Sequence, residues 1–256
     1  APLRVRVFSS QARSDRYLTR LISETRDNFV YLHYNNPERS ELVGYLDNAG
    51  DTEVSMVHQG FIQYLRAFVP NPPLWLREGF AVFFENAVYD PEFDAVVHRE
   101  NLSWLDTLQD IVLGETSSDP IPFDQLLRID LETARQRIDV FYPQAWGAVS
   151  FLLNSQDREH NRILWDSMSA LEPGNTLAQN IAAIEDEVLR FVDEDLLIED
   201  FVTYVSDRRS FRGLIEDGIS AYDAQDLDAA EQSFVTALNL RQTSFIPYYY
   251  LGLINY

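Results

Sequence analysis

The chain contains no cysteine, which excludes a disulfide framework, a thiolate nucleophile and a cysteine zinc site, and leaves the redox compartment open. Lysine is absent too, so all 20 basic residues are arginines. Against them stand 41 Asp and Glu, for a formal charge of -21. A field of that sign repels phosphate backbones and anionic lipid, so no nucleic-acid partner is expected. Long apolar runs are missing as well. The longest uncharged stretch, 140–156, is 17 residues long and is interrupted by Pro143, Gln144, Ser150 and Asn154, short of the roughly 20 mostly apolar residues a spanning helix needs. No membrane span is expected. No G-x-S-x-G elbow, phosphate-binding glycine loop or dinucleotide fingerprint occurs, so esterase, kinase and dehydrogenase chemistry find no support.

What is present suits a packed, globular protein. The 256 residues are 46% hydrophobic and 13% aromatic, enough for a true core. Residues 3–8 alternate apolar with charged side chains, the period of a half-buried strand, and 30–34 is a second strand candidate, with Tyr17, Leu18, Leu21 and Ile22 at helical spacing between them. A small N-terminal sheet follows from that reading. Beyond Asp51 the pattern is almost wholly helical: 52–68, 74–89, 102–113, 142–153, 161–171 and 176 onward. Pro70-Asn71-Pro72-Pro73 separates the first two of these, and 114–122 reads as a surface loop.

The chemistry-bearing stretch is Val57-His58-Gln59-Gly60-Phe61-Ile62, followed 20 residues after His58 by Glu78-Gly79-Phe80-Ala81, with Trp75-Leu76 just before it. It resembles the gluzincin, or peptidase-MA-like, metallopeptidases. In an H-E-x-x-H helix two histidines four apart hold zinc while the Glu draws a proton from the bound water. Gln59 stands here where that base belongs, and Ile62 stands where the second histidine belongs. The third ligand of the family is the Glu of a second helix, which Glu78 matches. Residues 121–127 and 141–153 also look like the helical half of these domains, so the resemblance runs from about 3 to 171. It implies His58 and Glu78 as residual metal candidates and no catalytic residue, with position 59 degenerate. It implies zinc binding that is weak if present, and a cleft in which Gln59 and Tyr142 could touch a peptide. Loss of the base alone commonly costs on the order of 10² to 10⁴ in rate, so hydrolysis is expected to be negligible.

From about residue 208 the chain shows self-similarity. Gly218 and Gly252 lie 34 apart, with Ala230, Phe234 and Ala237 between them and Tyr248, Leu251 and Gly252 opening a second unit in register. This resembles the tetratricopeptide repeat, over about one and a half repeats. Further repeats, or a partner covering the exposed face, are expected, and Tyr248 and Tyr249, with Phe245 and Tyr250, fit either a peptide groove or the repeat core. The fold expected is thus α+β but mostly α: a zincin-like domain over 1–207, then helical-hairpin repeats over 208–256. The function expected is a catalytically inactive metallopeptidase-like scaffold with a protein or peptide partner, in a bacterial periplasm or envelope; the missing initiator Met at Ala1 fits a removed leader. The alternative is an active zinc peptidase with a non-standard ligand set, completed for instance by His98. His33, His98 and His160 otherwise read as ordinary histidines, and Phe80, Phe83 and Phe84 as core. The acidic run 185–200 reads as the solvated face of a helix backed by Val188, Leu189, Val192, Leu196 and Leu197.

Overall fold

A computed structural model gives the fold, and it describes residues 3–255 apart from 35, 47–49 and 99. The N-terminal part is strand β1 (Val5–Phe8), helix α1 (Gln11–Ile22), β2 (Val30–Leu32) and β3 (Glu41–Tyr45). The sheet order is β1-β3-β2, with β3 parallel to β1 and antiparallel to β2. The sequence pattern shows β1 and β2 but misses the central strand. Every residue of β3 is buried, because the strand is flanked in the sheet and packed by α1 and by the helix that follows. A strand covered on both faces loses the alternation that would betray it. Leu18 of α1 closes this layer over Leu32 and Val43.

The helical part follows: α2 (Gly50–Phe68), α3 (Leu74–Phe84), a hairpin of β4 (Val88–Asp90) and β5 (Ala95–Val97), α4 (Leu105–Val112), α5 (Phe123–Arg128), α6 (Leu131–Gln136), α7 (Ile138–Asn154), α8 (Arg158–Ser169), α9 (Leu177–Glu187) and α10 (Glu194–Asp207). The chain is therefore α+β and mostly helical. The expected helix over 74–89 overruns, since α3 stops at Phe84 and the chain turns into the hairpin. Three-residue strands are too short to show a period.

The main core is centred on α3 and α7, with Leu76, Phe141, Trp146 and Val149 almost wholly buried. Their close approach depends on Gly79. A Cβ there would fall inside the Ala145 carbonyl and 2.7 Å from the Val149 Cγ2, so glycine is what lets the two helices touch. Phe80 and Phe83 are core and Phe84 packs partly against it. The acidic run divides into the end of α9 and the start of α10. Val188 and Leu197 are buried there, but Leu196 is 54% exposed, so it does not back the helix as the pattern suggests.

The last three helices, α11 (Phe211–Asp223), α12 (Leu227–Leu240) and α13 (Phe245–Ile254), form an antiparallel hairpin plus one helix with a core of their own. Leu214, Ile215, Ala230, Phe234 and Ala237 are buried in it. Ser210 and Asp226 cap α11 and α12 by accepting from Gly213 and Ala229 N–H. Arg212 ties the hairpin to α4 through the Asp110 carboxylate, Nη1 to Oδ2 being 3.0 Å. Among the described residues no helix is long and apolar enough to cross a membrane.

Candidate functional site

The proline-rich turn at 70–73 sends α3 back beside α2, and the two helices bring His58 and Glu78 together. His58 Nε2 lies 3.3 Å from Glu78 Oε2, and Nδ1 lies 2.8 Å from Glu85 Oε2 just past the end of α3. Glu78 Oε1 in turn accepts two bonds from Arg77, at 2.9 Å from Nε and 2.7 Å from Nη2. Asn101 donates to the other oxygen of Glu85. Burial alone would strip His58 of its charge, but the two carboxylates outweigh it and raise its pKa to about 9. The ring is an imidazolium at neutral pH, donating from both nitrogens. Burial likewise opposes the charge on Glu78, yet His58 and Arg77 hold its carboxyl below the usual range.

Three further groups surround this network. Tyr142 of α7 is half-buried, and desolvation with the Glu78 charge beside it pushes the phenol pKa up, so it is neutral. Burial, then the neighbouring Arg77 cation, lowers Arg66 to about 10, and its Nε donates to the Pro70 carbonyl at 2.9 Å. His33, next to Tyr31 at 3.3 Å, is pushed down by burial and by Arg66 and Arg77. Gln59 spends its amide oxygen on the sheet: Oε1 accepts from the Tyr31 backbone N–H of β2 at 3.2 Å. The side chain that replaces the expected base thus ties the edge of the sheet to α2.

The residues present do not fit a catalytic zinc. Two ligands of one tetrahedral zinc lie about 3.4 Å apart, given bonds of about 2.0–2.1 Å, so the His58–Glu78 spacing alone suits a shared metal or a shared proton. The remaining shell decides against the metal. Ile62 is buried where the second histidine would stand, Arg77 holds the second oxygen of Glu78, and no group of three His, Asp or Glu among the described residues could hold an ion. His98 does not complete the set: its ring lies tilted against Phe83, with centroids 4.7 Å apart, and against Phe84. His160 is engaged elsewhere, with Ser155 at 2.8 Å and Asp200 at 3.3 Å.

The motif spacing anticipates the pairing of His58 with Glu78, but not Glu85, Arg77 or Asn101. Glu85 stands seven residues after Glu78, on the same helical face, which is the signal that could have found it. Tyr248 and Tyr249 lie far along the chain on α13, 55% and 60% exposed. Tyr250 instead enters the hairpin core and stacks on Phe234 at 4.9 Å. No family model matches the chain, and neither a curated protein nor a solved structure matches it.

Proposed function

We propose that the chain is a catalytically inactive, metallopeptidase-like protein that serves as an interaction or scaffold module for a protein or peptide partner, through its cleft and its C-terminal helices, in a bacterial envelope setting. The observation that carries this reading is the saturation of the network around His58. His58 is protonated between Glu78 and Glu85, Arg77 neutralises Glu78, and the Gln59 amide oxygen is spent on a backbone N–H. A general base must be free to accept a proton from a substrate or water; the amide of Gln59, at the base position, cannot do so, and the His58 imidazolium has no lone pair left for it or for a metal. Any zinc would have to displace that proton and settle for two protein ligands, so binding is weak.

The interaction half of the reading draws support from α13, where Phe245, Tyr248, Tyr249 and Leu253 are exposed together within one ten-residue helix. Large aromatics so placed favour binding to another chain. The test selects displayed peptides on the wild-type protein and re-measures the best binder on Tyr248→Ser/Tyr249→Ser, expected to lose at least tenfold in affinity. In parallel, a quenched peptide library with and without added zinc is expected to remain uncut. Chelator-sensitive cleavage that disappears in Glu78→Gln would overturn the inactive reading.

A further inference from the structure

A cavity of about 210 Å³ lies between α5, α7 and α10, away from the His58 network. One wall is the segment Pro120-Ile121-Pro122, which runs across α7 as a strap. Gln144 fixes it on both sides: its Oε1 accepts from the Ile121 N–H at 2.7 Å, and its Nε2 donates to the Ile121 carbonyl at 3.1 Å. The prolines on either side carry no N–H that would need a partner. One turn further along α7 the lining residue is Ala148, and α10 supplies Leu197 and Phe201 opposite. A pinned strap facing a small side chain cannot collapse inward, which is why the space persists against close packing.

The lining sets the ligand chemistry. It includes no ionisable side chain among the described residues; of its two polar side chains, Gln144 is already satisfied by the strap and Trp75 has a buried indole N–H without a hydrogen-bond partner. Water needs two to four polar partners and the lining side chains offer it a single unpaired donor, the Trp75 indole N–H, whereas apolar cavities of about 150 Å³ stay dry and admit benzene-sized molecules. An anionic headgroup would meet no counter-charge in the lining and the repulsion of a chain at -21. We propose that this cavity is a binding site for a small, uncharged apolar molecule, such as a single short alkyl chain. Pro122 and Ile198 are exposed at its edge and Phe123 and Val202 are half-buried, so the site opens to solvent between the strap and α10. The inference is independent of the reading of the cleft.

The probe is 1-octanol, titrated calorimetrically at pH 7 beside octanoate and N-acetyl-tryptophanamide. Expected are one saturable octanol site per chain, a rise in thermal midpoint on loading, and octanoate binding at least tenfold weaker. Ala148→Phe, filling the space from α7, is expected to weaken octanol at least tenfold while retaining the wild-type circular dichroism. Should that variant misfold, Val202→Phe fills the site from the half-buried edge with the same expected loss. Absence of saturable octanol binding would overturn the proposal, as would octanol binding undiminished in the folded variant. Octanoate binding as tightly as octanol would also overturn it. Binding of the tryptophan amide in place of octanol would do so too, by assigning the space to a partner's side chain.

Discussion

The network around His58 and the exposed face of α13 handle their side chains in opposite ways. At His58 nearly every polar atom has found a partner inside the chain, in a network of two carboxylates, an imidazolium and a guanidinium that is mostly buried. On α13 the apolar groups have found few partners, and Phe245 is 78% exposed. Their glycines repeat the contrast. Gly79 and Gly218 are packed, the latter with the Phe234 ring 2.7 Å from where a Cβ would stand, while Gly252, in the matching register 34 residues on, has nothing within 4 Å. A region that satisfies itself has few polar groups left unpaired, whereas α13 leaves large apolar side chains in solvent.

The comparison breaks hardest at His58. In His58→Leu the Glu78 and Glu85 carboxylates lose their shared cation while staying mostly buried, and uncompensated buried charge typically costs about 3–5 kcal/mol. Chemical denaturation at pH 6 measures it. The same network gives a pH signature in the wild type. His58 is raised from 6.5 to about 9, so its stabilisation is fully present below about 6.5 and is lost as the pH rises through 9. At about 1.4 kcal/mol per unit that loss totals roughly 3 kcal/mol. Glu78 is lowered from 4.5, so its share is present above that value and is lost as the pH falls through its depressed pKa. Stability is therefore expected to peak between about 4.5 and 6.5. A profile that stays flat from pH 6.5 to 9.5, or a His58 ring that titrates near 6.5 by NMR, would show that the imidazolium is not held.

Packing offers the next lever. Gly79→Ala is expected to cost about 2–3 kcal/mol, because the new methyl meets Ala145 backbone and neither helix of the main core can yield. Gly218→Ala is expected to cost less, about 1 kcal/mol, since the obstruction is the Phe234 ring in a core of only five buried residues. Thermal unfolding of both variants side by side checks the order. A reversal would mean that the small hairpin core is the more rigid of the two.

The legibility of the molecule in its sequence follows the same division between periodic and packed features. His58 and Glu78 stand where the metallopeptidase motif that the chain resembles places two ligands, so their juxtaposition was legible in the sequence through that resemblance. The partners that decide what the pair can do were not. Arg77 acts through its adjacent Glu78, Glu85 lies past the helix end, and Asn101 arrives from beyond the β4–β5 hairpin. The bonds of Arg77 and Asn101 leave no mark on local period, whereas Glu85, seven residues after Glu78, does share its helical face. The strand β3 was hidden because burial on both faces erases alternation, and β4 and β5 because three residues make no pattern. The helices of the C-terminal hairpin were legible through small residues at fixed offsets, and Gly218 does sit under Phe234.

The smallest expected effect sharpens the comparison from its other side. Gly252 lies inside α13 with open space around its Cα, so Gly252→Ala adds no clash and removes the backbone-entropy cost of glycine in a helix. Stability should rise by about 0.5–1 kcal/mol, the opposite sign to Gly79→Ala and Gly218→Ala. The gain in thermal midpoint is one readout and affinity for a peptide selected on α13 is the other. If a partner packs against this helix as Phe234 packs against Gly218, the methyl will stabilise the free chain while weakening the complex. A variant that gains stability and binds as well as wild type would move the contact away from Gly252, toward Phe245 and Tyr249.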